Sequence, residues 1–189
     1  MKTRIILMLI AGSALAAEDV NKLAEYKQAK EVARQVLEGS RKLLMEEMER
    51  KGPAGAVQAC SAVAMDLAGR HEKEGWRIRR VSDRLRNPQD APDAYEARVL
   101  SRFLSMKASG TLKPASEAGE VVVEGGKRYL RYMKPIFIPG PLCLKCHGGP
   151  AEIAPDVKAR LRQLYPEDQA TGYSIGDLRG AVSVKIPVE

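Results

Sequence analysis

The chain has 189 residues, a formal net charge of +7, and 44% hydrophobic but only 5% aromatic residues. That is ample for one domain with its own core. The basic balance is a weak pointer to nucleic acid. With so few aromatic residues and no nucleic-acid motif, it excludes nucleic acid from the expected partners.

The N-terminus reads "MKTRIILMLIAGSALAAEDV". Lys2 and Arg4 precede an apolar run, Ile5 to Ile10, and Ala14-Leu15-Ala16 has the small-x-small form of a secretory cleavage site. The run is shorter than the ~20 residues that span a bilayer. Residues 1–16 are therefore expected to be a signal peptide, and residues 17–189 a single exported domain. The expected compartment is the periplasm. Processing leaves about 173 residues, a charge near +5 and no integral membrane segment.

From Asp19 to Arg50, Val20, Leu23, Val32, Val36, Leu43, Leu44 and Met48 mark a long amphipathic helix. Its polar positions are mostly charged, as on a solvated face. Gly52-Pro53 breaks it, and Pro53 suits the first turn of a second helix. There Val57, Cys60, Ala64 and Leu67 form one stripe. "WRIRRV" reads as a short strand, and "RNPQDAPDAYEARVLSRFL" as a loop entering a helix near Pro92. "GEVVVEGGKRYLRYMKPIFI" is two strands hinged at Gly125-Gly126, a hairpin. A loop holding "PLCLKCHGG" follows. Then come a short helix in "APDVKARLRQLY" and a last strand in "RGAVSVKIPV". Early helices and late, hairpin-connected strands give an α+β domain, an antiparallel sheet covered by helices.

The chain has three cysteines, an odd number for an oxidising compartment. Two lie in Cys143-Leu144-Lys145-Cys146-His147, which admits several readings. A zinc site would need four ligands, and adjacent Cys146 and His147 make an awkward chelate. A redox dithiol should sit just before a helix that lowers its pKa, yet "HGGP" follows. A chance match is the third. The fourth is the haem (heme) attachment signature C-x-x-C-H. Two thiols reach the vinyl groups of one haem c, while His147 lies beneath the iron. Export is where such attachment occurs, so this reading is preferred, with one haem.

For the second axial position the sequence offers Cys60, His71 and the methionines, among them Met133 close upstream of the motif. Cys60 reads equally well as a small buried hydrophobe. His71 lies in the polar "GRHEKEG" and reads as a surface residue. Arg77, Arg79, Arg80, Arg84 and Arg86 form a dense cluster. Arg80 and Arg86 are the candidates for haem propionates, against a solvated basic strand as the plainer reading. No acid/base pair, serine triad or phosphate loop is present, and no enzymatic activity is expected.

Four blocks carry a family resemblance: "AVQACSAVA" around Cys60, "IRRVSDRLRNPQDAPDAYE", "CLKCHGG" and "YPEDQATGYSIGDLRGAVSV". In order and spacing they resemble the bacterial PAS-like c-type haem domains whose iron is held by histidine and cysteine. Val81 and Asp83 depart from that pattern, standing where threonine and leucine are expected. The resemblance implies a PAS-like fold, covalent haem c, His147 as proximal ligand and Cys60 as distal ligand. It implies sensing of redox state or of a small gas such as nitric oxide or carbon monoxide, through a signalling partner. The alternative is a periplasmic electron-transfer cytochrome with a redox partner.

Overall fold

A computed structural model describes residues 19–71 and 75–189, with the backbone alone for residues 58–68. The expected signal peptide and the Cys60 side chain lie outside the described residues.

Helix α1 (Ala24–His71) opens the fold after a short 3-10 turn at Val20–Lys22. Its contact line is Tyr26, Ala29, Ala33 and Val36, spaced by three and four and fully buried. Val20, Leu23 and Val32 flank this line rather than form it. Alanine side chains bring the helix close to what it covers. On the outer face Arg34 pairs with Glu31 and Glu38, exposed contacts that add little to stability. At Gly52 the backbone leaves helical space, with φ +68° and ψ 177°. The break falls at the expected Gly-Pro pair, because glycine takes positive φ without a Cβ clash and Pro53 has no N–H to donate.

Strands β1 (Arg77–Val81), β2 (Ala118–Glu124), β3 (Lys127–Phe137) and β4 (Leu178–Pro187) form one antiparallel sheet in the order β1-β4-β3-β2. Gly125 and Gly126, at φ +58° and +76°, make the two-residue turn of the β2–β3 hairpin. Alternation along the strands dresses both faces. Leu130, Tyr132, Val182, Val184 and Ile186 meet α1. Ala118, Met133 and Ala181 meet Tyr95, Val99, Leu100 and Phe103 of α2 (Ala94–Ala108) on the other face. Asp93 caps α2 in a reciprocal pair with Glu96, through bonds of 2.9 and 2.8 Å. The result is the expected α+β class: an antiparallel sheet between helices, with a long N-terminal helix.

One local expectation is corrected. "PLCLKCH" is not loop but a short helix, α3 (Pro141–His147), with Gly140 as its N-cap and Pro141 in its first turn. Seven residues are too few to show a helical period, so nothing in the hydrophobic pattern marks them. A further helix, α4 (Pro155–Leu164), packs on the second segment of α1, joining Val157, Leu161 and Ile153 to Val57. Among the described residues no helix is long and apolar enough to cross a membrane.

Gly180 tests how tightly β1 and β4 are held. Its φ is +153°, and a Cβ there would lie 2.3 Å from the Val81 carbonyl oxygen. Gly180→Ala should therefore cost about 3 kcal/mol, the upper range for a point change, because backbone must move. Urea denaturation should show a lower midpoint with unchanged slope; an unchanged midpoint would mean that the strands part without cost.

Candidate functional site

A cleft opens at one end of the sheet, between α1 and α3. Its walls are largely apolar: Leu44, Met48, Ala56 and Val57 from both sides of the α1 break, Ile136 to Ile138 from the end of β3, and Leu142. Cys143, Cys146 and His147 line it together. On α3 these are positions i, i+3 and i+4, so one face of a short helix presents both sulfurs and the imidazole. No disulfide joins Cys143 to Cys146.

The imidazole is fixed from behind. His147 Nδ1 lies 2.7 Å from the Ala170 carbonyl oxygen. A carbonyl only accepts, so Nδ1 carries the proton and donates it, leaving the Nε2 lone pair unprotonated. Removal from water lowers the His147 pKa well below the usual histidine range. The positive fields of Arg86, Arg179 and Arg80 add to this, and the Ala170 bond opposes it only in part. The ring is therefore neutral, the state in which histidine ligates a metal. Tyr173 packs edge-on against it at 6.2 Å between centroids.

Arg86 is the bracket that holds α3 in place. It pairs with Asp168 at 2.9 Å and donates to the carbonyls of Cys146 (2.6 Å) and Ala170 (3.2 Å). Asp168 in turn accepts from the Ala170 N–H at 2.8 Å. The backbone closes the same bracket: the Tyr173 N–H donates to His147 O at 2.9 Å, and Gly172 N–H to Gly148 O at 2.7 Å.

The arginine-rich strand is not simply solvated. Arg79 donates to the carbonyls of Gln89 and Ala91, pinning the turn that Asn87 caps. Arg84 reaches the carbonyls of Gln169 and Thr171 and lies over the Tyr173 ring at 4.1 Å. Arg80 and Arg86 both line the cleft, as the propionate expectation requires. Each is already matched, however, Arg80 loosely to Asp90 at 4.0 Å and Arg86 to Asp168.

The other expected residues divide. Helical backbone runs through position 60, one turn beyond cleft-lining Val57; the Cys60 side chain is outside the described residues. His71 ends α1, half-buried and away from the cleft lining. Met133 is fully buried under α2, on the opposite face of the sheet. Among the described residues the methionine that lines the cleft is Met48. Arg179 also lines it. The sequence reading counted Met48 among the methionine candidates without singling it out, and it missed Arg179. The available signal for Arg179 was a cation inside the otherwise apolar "LRGAV" of β4.

This donor set fits the haem expected from the motif. Two sulfurs share a helical face, a neutral imidazole offers Nε2, the walls are apolar, and Arg179 makes no ion pair among the described residues. No three His, Cys, Asp or Glu side chains among the described residues converge to hold a bare metal ion. The dithiol reading fits less well, because only Cys143 lies in the first turn of α3 and Cys146 is next to its last residue.

Comparison with known proteins gives two findings. A protein-family model described as Tll0287-like matches residues 17–187. A solved structure, the crystal structure of the cyanobacterial heme-protein Tll0287, superposes with a TM-score of 0.65 at 25% sequence identity, covering 87% of this chain and 96% of that one. No curated protein matches.

Proposed function

The chain belongs to the Tll0287-like family, and from that premise we propose that it is an exported cytochrome-like protein with one covalent haem c, working as a redox or small-gas sensor. The observation that carries the reading is the single face of α3. Cys143 and Cys146 would hold the group through thioethers, and His147 would offer Nε2 as the proximal ligand. The solved relative is a heme-protein, which agrees. The family match starts at residue 17, where the processed chain is expected to begin.

When bound, the haem supplies a one-electron ferric/ferrous couple and a site for diatomic ligands. The chain's own residues do the rest. Ala170 fixes the imidazole tautomer, Arg86 and Asp168 keep α3 in register, and the apolar walls exclude water. Cys60 is proposed as a second iron ligand; it would bind as thiolate, a form that favours ferric iron. Its helical segment is hinged at Gly52 and rests on α4. Loss of that ligand would bear on the packing of this segment against α4, as a sensor requires and an electron carrier does not. The carrier reading has one observation in its favour: Leu142, at the cleft, is 37% exposed, an apolar edge where a redox partner could approach.

The test is a spectroelectrochemical titration of the mature protein, with and without carbon monoxide, on material whose measured mass places its first residue near Ala17. A sensor should change ligation on reduction and then bind carbon monoxide. Six-coordinate iron in both states, indifferent to carbon monoxide, would instead establish the carrier. A protein without haem would defeat both readings.

A further inference from the structure

The polar end of the cleft holds more positive charge than its carboxylates match. Arg80 answers to Asp90 at 4.0 Å and Arg86 to Asp168 at 2.9 Å. Arg179 makes no ion pair among the described residues, and the Asp90 carboxylate, also at the cleft, acts on it only through its field. Its Nη1 donates to neutral acceptors only, Ser82 Oγ at 2.7 Å and, weakly, Arg84 O at 3.3 Å. Ser82 is itself buried, and its oxygen is held by the Arg84 N–H at 3.1 Å, so the guanidinium has a firm seat. Burial, reinforced by Arg86 and Arg80, lowers the Arg179 pKa, while Tyr173 and Asp90 offset this in part.

A half-buried guanidinium is a costly group to leave without a counter-charge. Beside it the Tyr173 hydroxyl is buried, with the Ser82 hydroxyl as its polar neighbour and no hydrogen bond of good geometry among the described residues. Arg179 lies 5.7 Å from the centroid of that ring. Such a cluster lacks an anion with several acceptor oxygens. Arg179 and Ser82 both line the cleft, so the anion would come from its occupant.

We infer that Arg179, seated on Ser82, is the residue that neutralises a carboxylate of the tetrapyrrole, in place of Arg80 and Arg86. This rests on the haem reading above and adds a residue that the sequence analysis did not single out. It also gives a reason for an arginine inside the central strand. Arg80 and Arg86 are then structural, one tying strand to turn and the other bracketing α3.

The test uses the haem-loaded protein and the variants Arg179→Gln, Arg179→Lys and Arg80→Gln. Loss of the positive charge should disfavour the ferrous state by at least tenfold in Arg179→Gln, a fall of about 59 mV for a one-electron couple. The propionate-bending band in the resonance Raman spectrum should shift in Arg179→Gln and stay in place in Arg80→Gln. That band reports hydrogen bonds to the carboxylates themselves, so a merely structural role would not move it. If Arg179→Gln does not accumulate, Arg179→Lys decides. It replaces the planar fork with a point charge, and the band should move by a smaller amount. An unmoved band in the Arg179 variants, or an equal shift in Arg80→Gln, would overturn the inference. Wild-type protein that gives no haem stain would defeat the functional reading beneath it, a separate and visible failure.

Discussion

Cys143→Ala combined with Cys146→Ala should abolish haem staining of the denatured, exported protein, while wild type stains fully. The two sulfurs lie three residues apart on one face of α3 and line the same cleft as His147. Each is proposed to hold the group by a thioether, a covalent bond that survives denaturation. Each single substitution should leave one attachment and weaker staining. His147→Ala should instead alter the spectrum of the folded protein, because it removes the imidazole that Ala170 orients. Full staining of the double variant would show that attachment does not run through this motif.

Cys60→Ala should produce the largest change in the iron itself. Thiolate donates strongly to ferric iron and depresses the reduction potential. Wild-type ferric protein should therefore be low-spin, and Cys60→Ala should be at least partly high-spin, with a potential raised by on the order of 100 mV. Apart from the two attachment cysteines, the sulfur that lines the cleft among the described residues is the thioether of Met48. Met133, the methionine nearer the motif in sequence, is enclosed under α2 and is not a substitute. Any low-spin fraction left in Cys60→Ala should disappear in Cys60→Ala with Met48→Leu. Electron paramagnetic resonance of the ferric proteins reads all three. Identical signals from wild type and Cys60→Ala would remove Cys60 from the iron and make Met48→Leu the next comparison. A cysteine that served only packing would cost about 1 kcal/mol and leave the spectra alone.

Local chemistry carried far in the sequence, and its reach ended where the chain returns on itself. The hairpin was legible because Gly125-Gly126 separates two β-rich runs. The break in α1 was legible because a Gly-Pro pair has few other uses inside a helix. The motif helix was not, being too short to show a period. Nor was the contact line of α1, since Ala29 and Ala33 do not stand out against valine and leucine, although they lie deepest. The bracket around His147 was beyond reach for a different reason. Arg86 meets Asp168 and Ala170 across more than eighty residues, and no local pattern records that pairing. Arg80 and Arg86, the expected propionate partners, line the cleft. Their carboxylate partners, seen only in three dimensions, change what they are available to do.

The sheet order has a consequence for the timing of maturation. Its last strand, β4, lies between β1 and β3 and hydrogen-bonds to both. A chain delivered N-terminus first cannot zip its sheet until that final segment has arrived. Cys143 and Cys146 arrive earlier. Until then the cleft lacks Arg179 and Gly180, and β1 has no neighbour. If haem is attached at Cys143 and Cys146 as proposed, its cleft is complete only once this last strand has docked.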